Sequence, residues 1–223
     1  MAAPARGLAA LTDALKGRLL DALLGADRRA AEAVIDDALS EGMDGLAVLD
    51  ELLTPVMHAV GRLWESGEIT IADEHLATAV AHGTLTRIYP ELATAEPRTR
   101  GVVLLAGADG EQHMFGLRML ADVLEAAGFD VRNVAGSLPP ESLAAAVRRH
   151  RPVLVGLAHT VGGSETLLRS VRAVREVAPE TPILLGGAGS TWLQRDGIAI
   201  DAHTAVCLSA RQGLAAAERL TGN

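Results

Sequence analysis

The sequence predicts a two-part protein: an N-terminal four-helix bundle over 1–95, then an α/β domain over 98–223 built on a parallel, Rossmann-like (flavodoxin-like) sheet. Three observations predict it. Leucines recur at spacings of three and four through the first ninety residues, the stripe of amphipathic helices. After residue 100, continuous apolar runs alternate with helical patterns, as strands covered on both faces require. Between the two regimes lies TAEPRTR (94–100), polar and proline-containing, as a domain boundary should be.

Leu8, Leu11, Leu15, Leu19 and Leu23 mark the first helix. A second fits 27–41, from Asp27 to Glu41-Gly42. A third fits 44–66, with Leu46, Leu49, Leu53, Val56, Val60 and Leu63 inward and Gly67 as its stop. A fourth opens after Thr70 and is expected to close before Pro90, since proline cannot donate to the preceding turn. Short connections make the four an antiparallel bundle. Strands are then expected at 101–106, 129–134, 152–158, 182–187 and 204–208. Helices are expected at 114–127, 140–150, 164–177 and 209–221.

Composition narrows the function classes. A net charge of -8 with no extended Lys/Arg cluster argues against a nucleic-acid face, and residues 1–6 leave no room for a helix-turn-helix. No apolar run approaches the roughly 18 residues of a membrane span. The N-terminus places Asp13 and Lys16 inside its apolar pattern, unlike a signal peptide. The single Cys207 permits no internal disulfide. Together these predict a soluble, cytoplasmic protein. Aromatic residues are only 2%, so the core is aliphatic and each tryptophan is informative.

In a doubly wound sheet, ligands bind outside the carboxyl ends of the strands. Four loops emerge there, bearing Glu111, His113 and Gly116; Ser137; Ala158, His159, Thr160, Gly162 and Ser164; and Gly186 with Gly187. Small residues at these rims permit close approach of backbone to a bulky ligand. The phosphate loop G-x-x-x-x-G-K-[ST] is missing. A receiver-type site lacks its paired acids and its lysine. Glu111 beside His113 has a clearer chemistry. A carboxylate on one ring nitrogen fixes the tautomer and presents the other nitrogen outward. One imidazole is too few for tight zinc binding, but it suits a metal that arrives already held by a macrocycle. In the helical half, His75 and His82 lie seven apart, without the Glu-x-x-His spacing of a bundle metal site.

Glu111-x-His113-x-x-Gly116 resembles the Asp-x-His-x-x-Gly motif of cobalamin-binding domains. Forty-one residues separate Gly116 from Ala158-His159-Thr160, where that family has Ser-x-Leu; twenty-five more precede Gly186-Gly187, its Gly-Gly step; and Pro139-Pro140-Glu141 resembles its turn after the second strand. The resemblance covers 101 to about 220. It implies that His113 is the lower axial ligand of cobalt, base-off and His-on, and that Glu111, Gly116, Ser137, Ala158, His159, Thr160, Gly162, Ser164, Gly186 and Gly187 line the cofactor site. Two departures stand out: Glu111 is one methylene longer than Asp, and Ala158 lacks the hydroxyl of Ser.

Trp64, nine residues, then Glu74-His75 resembles the signature of light-sensing cobalamin proteins of the CarH and LitR kind. In them a helical bundle covers the upper face of adenosylcobalamin. Trp64 offers a stacking plate, and Glu74 and His75 offer hydrogen bonds. Those proteins place a histidine after the tryptophan to ligate cobalt from above. Glu65 stands there in this chain, which leaves His159, His75 or His82 as the candidate upper ligand. The resemblance makes the leading expectation a stand-alone cobalamin sensor, binding adenosylcobalamin (or the methyl or hydroxo form) and signalling to a protein partner or through a homo-oligomer. The alternative is a corrinoid carrier for a cobalamin-dependent methyltransferase. A mutase small subunit and a cofactor-free interaction module fit less well.

Overall fold

The protein, described from a computed structural model, is defined for the backbone of residues 3–92 and 97–222, and for the side chains of 11–92, 97–193 and 195–222. It divides into two compact units, Met1–Ala93 and Thr94–Asn223. Part of the expected boundary segment, residues 94–96, lies outside the described residues.

The first unit contains α1 (Ala3–Leu24), α2 (Arg28–Ser40), α3 (Gly45–Ala47), a π-helical stretch (Val48–Leu53), α4 (Thr54–Glu65) and α5 (Ile71–Leu92). Residues 45–65 form one continuous helix, as the leucine spacing predicts, but with a widened middle. Pro55 has no N–H for the carbonyl of Glu51, and the Thr54 N–H bonds five residues back to Leu49 instead of four. The extra residue per turn brings Val48, Leu49, Leu52 and Leu53 inward together, all with no exposed surface. They meet Leu15, Leu19 and Leu23 of α1 in burial. Asp27 caps α2 by accepting from Ala30 N at 3.0 Å, and Asp44 caps α3 from Ala47 N at 2.7 Å. The expected stop before Pro90 is corrected by the structure: α5 runs on to Leu92. A proline this near a helix end forfeits only one main-chain bond. The last turn packs on Gly45, where a Cβ would lie 3.0 Å from the Leu92 side chain.

The second unit contains β1 (Val102–Gly107), α6 (Phe115–Ala126), β2 (Asp130–Ser137), α7 (Pro140–His150), β3 (Leu154–Ala158), α8 (Ser164–Val177), β4 (Ile183–Gly186), a 3-10 turn (Ala188–Thr191), α9 (Trp192–Arg195), β5 (Thr204–Val206) and α10 (Ala210–Thr221). All strand pairs are parallel, in the order β2-β1-β3-β4-β5. This is the doubly wound sheet expected from the sequence. Alternate residues feed two cores. Val103, Leu105, Leu154 and Leu184 pack with Leu117 of α6 and Ala217 of α10. Leu104, Val155, Leu157 and Leu185 pack with Val147 of α7 and Leu167 of α8. At roughly 1.5–3 kcal/mol for each fully buried aliphatic side chain, these layers hold the strands in register. Three differences from the expected elements are local. β2 extends to Ser137 through a register shift near Ala135, whose φ is 52°. β5 is three residues long. The segment 188–195 is helical where the sequence shows no periodic signal. Among the described residues, no helix is long and apolar enough to cross a membrane.

Candidate functional site

Register brings the small residues of the strand ends into one row. Gly107 of β1 lies opposite both Ser137 of β2 and Ala158 of β3, and Ala158 lies opposite Gly186 of β4. From this row the chain after β1 folds back tightly. Ala108 N donates to Ala158 O at 2.9 Å, and Glu111 N donates to Ala108 O at 2.9 Å. A Cβ on Gly107 would stand 2.6 Å from the Met114 methyl and 3.0 Å from Glu111 Cβ, so only glycine lets the loop close here.

That closure buries the Glu111 carboxylate, whose side chain is 1% exposed. It is saturated with donors. Oε1 accepts from Gln112 N at 2.8 Å, from His113 N at 2.7 Å and from His113 Nδ1 at 2.7 Å; Oε2 accepts from Thr160 N across the rim. Burial alone would push the carboxyl pKa up. The bonds from the His113 ring, the His113 N–H and the Thr160 N–H outweigh it and lower the pKa to about 2. An ionised Glu111 accepts only, so Nδ1 of His113 is the donor and the lone pair resides on Nε2. The His113 side chain is 43% exposed at the rim. Gly116, in the first turn of α6, is exposed, and a Cβ there would meet nothing within 4 Å.

The other rim residues divide by role. Thr160 contributes its backbone N–H to Glu111, a function its side chain does not reveal. Ser164 donates its hydroxyl to Asp196 at 2.8 Å, so it is engaged on α8. Ala158 is buried. Gly187 has φ 86°, and a Cβ there would lie 2.4 Å from the carbonyl oxygen of His159. Gly162 has φ 111°, and Gly189 faces the His159 ring, where a Cβ would lie 2.8 Å from Cδ2. His159 itself is 1% exposed, with neither ring nitrogen hydrogen-bonded, and Trp192 meets it edge-on at 6.1 Å. The ring is enclosed, and it stands on the same sheet rim as His113. Sequence reasoning gave Trp192 no role; as the chain's second tryptophan, it was the available signal.

In the helical unit, Trp64 is half-buried near the end of α4, and Glu74 and His75 open α5 across a tight turn. Gly67 turns the chain at φ 76°. Thr70 and Asp73 then cap α5 reciprocally: Asp73 Oδ2 accepts from Thr70 N at 2.8 Å, and Asp73 N donates to Thr70 Oγ1 at 3.2 Å. Glu74 joins the carboxylate to its neighbours. Its Oε2 lies 2.5 Å from His75 Nδ1, and its Oε1 accepts from Thr78 Oγ1 at 2.8 Å. Ile71 and Leu76 beside them are more than half exposed. The structure thus brings Trp64, Glu74 and His75 to one end of the helical unit.

A single carboxylate-oriented imidazole on a glycine-lined rim fits a metal whose remaining ligands are supplied by a macrocycle. Among the described residues, no group of three or more His, Cys, Asp or Glu is placed to hold a metal ion by itself. Comparison with known proteins agrees in kind. Two models described as the B12 binding domain match residues 15–89 and 101–218. The chain is 31% identical over 183 residues to the HTH-type transcriptional repressor CarH of Myxococcus xanthus, covering 81% of this chain and 56% of the repressor. It is 23% identical to the trimethylamine corrinoid protein of Methanosarcina barkeri, covering 82% of this chain and 87% of that protein. The structure of the Methanosarcina barkeri monomethylamine corrinoid protein superposes with a TM-score of 0.71 at 19% identity, over 95% of this chain and 99% of that one, a likeness of fold. With the second model spanning more than half of the chain, this protein belongs to the B12-binding domain family.

Proposed function

We propose that the chain holds cobalamin with His113 as the lower cobalt ligand, and that it serves as a corrinoid carrier in a methyl-transfer system. The observation that carries the reading is the Glu111–His113 pair: a buried, ionised carboxylate with its donors satisfied, turning one imidazole nitrogen to the rim. The bound cofactor would supply a cobalt–carbon bond that can be made and broken. Glu111 would hold the Nδ1 proton and orient Nε2 toward the metal. Whenever Nε2 is released it can take up a proton, and the adjacent carboxylate then stabilises the imidazolium. Gly107, Gly116, Gly186 and Gly187 would keep side chains away from the incoming ring and its tail, with Ser137, Ala158, Thr160, Gly162 and Ser164 around them. A methyltransferase partner follows from the carrier role.

The carrier is put first because corrinoid proteins match most of this chain, and the structure of one superposes over 95% of it with a TM-score of 0.71. The chain spans 87% of the trimethylamine corrinoid protein but 56% of the repressor. The sensor is kept as a second reading because Trp64 lies near the end of α4 and Glu74 and His75 in the first turn of α5, and because identity to the repressor is 31%. In that reading the helical unit covers the upper face of adenosylcobalamin. One experiment separates them. Load the chain with adenosylcobalamin in the dark, illuminate with green light, and follow the absorption spectrum and the hydrodynamic size. The carrier reading expects no change of size on loss of the upper ligand, and methylcobalamin bound at least as tightly as adenosylcobalamin. A light-driven change of size would transfer the assignment to the sensor.

A further inference from the structure

Among the described residues, the two ring nitrogens of His159 are the buried side-chain polar atoms that lack a hydrogen-bond partner. An imidazole always carries at least one N–H, and leaving it bare in the interior costs free energy. Stability alone therefore does not account for this ring. Local rules are broken in this way mostly at functional positions, and His159 precedes the residue that bonds to Glu111 across the rim.

The ring fills a slot between the start of α8 and the 3-10 turn that follows β4. A Cβ on Gly162 would lie 3.3 Å from its Cε1, and a Cβ on Gly189 would lie 2.8 Å from its Cδ2. Trp192 meets it edge-on, with the two planes at 90°. The hydrogen bond from Ser164 to Asp196, 2.8 Å long, ties the start of α8 to the segment after Trp192, so the walls are joined to each other. Such a slot takes a short, flat side chain. A six-membered ring would drive its far edge toward the two glycines, and a branched aliphatic chain is not flat. With neither nitrogen bonded, the imidazole holds its place by shape.

What the shape fixes is the next peptide. The amide plane between residues 159 and 160 carries the His159 carbonyl on one side and the Thr160 N–H on the other, and it turns as one rigid unit. The carbonyl abuts Gly187, where a Cβ would lie 2.4 Å from its oxygen, and the N–H donates to Oε2 of Glu111. On the other side of the residue, His159 N donates to Gly186 O at 2.9 Å. The main chain before His159 is held, the main chain after it is aimed, and the side chain between them is locked. We propose that His159 is a positioning residue: its ring, wedged among Gly162, Gly189 and Trp192, aims the Thr160 N–H at Glu111 and so steadies the carboxylate that orients His113. The proposal rests on the reading of Glu111 and His113 as the cofactor pair.

The test is amide NMR on the full chain without cofactor. In the wild type the Thr160 amide proton should lie far downfield and exchange slowly, as a bond to an ionised carboxylate requires. His159→Leu fills the space without the flat edge and removes the bare nitrogens. It should unfold near the wild-type urea midpoint, yet its Thr160 amide should move upfield and lose roughly tenfold or more in exchange protection, with the β1 amides unchanged. His159→Ala should lose the same signature. Loaded with cobalamin, both variants should bind it roughly tenfold or more weakly. A wild-type Thr160 signature in either variant overturns the proposal. So does loss of protection spread evenly over the sheet, which a merely structural ring would give. A fast-exchanging Thr160 amide in the wild type overturns it without any variant. If the signature is lost while cobalamin affinity holds, the positioning role stands and the cofactor reading of Glu111 fails, so the two failures are distinguishable.

Discussion

At the scale of single residues, the chemistry concentrates in Glu111 and His113. Replacing His113 with Ala removes the imidazole and its bond to buried Glu111, whose carboxylate keeps its three main-chain donors. The fold should persist, and cobalamin affinity should fall by an order of magnitude or more, with a changed absorption spectrum. Equal affinity and an identical spectrum would remove His113 from the cobalt. Glu111 makes a pH prediction. Its folded pKa of about 2 lies below the ordinary 4.5, so its ionised form is favoured by folding. The stabilisation is present above 4.5 and is lost as pH falls toward 2, amounting to about 3 kcal/mol at neutral pH. Glu111→Gln should therefore lower stability at pH 7 and flatten the dependence between pH 4.5 and 2, where the wild type weakens. Parallel urea titrations across that window test it; equal slopes for the two proteins would mean that the carboxylate is not what titrates. The same variant should make the His113 ring harder to protonate, because an amide stabilises an imidazolium less than a carboxylate does.

At the scale of elements, the loops after β1, β3 and β4 depend on one another. Thr160 N–H reaches Glu111, and the β4 turn lies so close to the β3 turn that Gly187 has no space for a side chain. Its φ of 86° adds backbone strain to the steric clash. Gly187→Ala should cost about 2 kcal/mol or more, and it should weaken cobalamin binding by displacing the β3 loop that supplies Thr160. Thermal unfolding together with cofactor titration checks both effects. A stable variant that binds normally would show that the two loops move independently. In the other unit, the π-helical stretch runs directly up to Pro55, which has no N–H to return to the preceding turn.

At the scale of the whole molecule, the open question is what the helical unit does for the cofactor. If Trp64 stacks on an adenosyl group, Trp64→Ala should cost about 1–3 kcal/mol of affinity for adenosylcobalamin and much less for methylcobalamin. If the two affinities fall equally, Trp64 is a structural plug of the bundle. Together with the illumination experiment, this comparison decides between a carrier, which must accept a small upper ligand, and a sensor, which must register the loss of a large one. The chain spans 56% of the repressor it resembles, so the repressor's whole activity is not carried over with the fold.

Short-range patterns by themselves determined much of this protein. Leucine spacing marked the helices of the first unit, since burial of one face imposes a 3.6-residue period. Continuous apolar runs marked the inner strands β1, β3 and β4 of the second, since both faces of a parallel sheet are covered there. The spacing of Glu111 and His113 marked the carboxylate–imidazole pair, because the two are two residues apart on one loop. Tertiary structure decided what depends on contacts distant in sequence. It alone shows that Glu111 takes a fourth donor from Thr160, forty-nine residues away. It alone encloses His159 among Gly162, Gly189 and Trp192, where a loop histidine reads from sequence as a candidate ligand. It carries α5 past Pro90, because Leu92 packs on Gly45 and compensates for the missing bond. In each case the free energy of a long-range contact exceeds a local preference, and no window of neighbouring residues contains that contact.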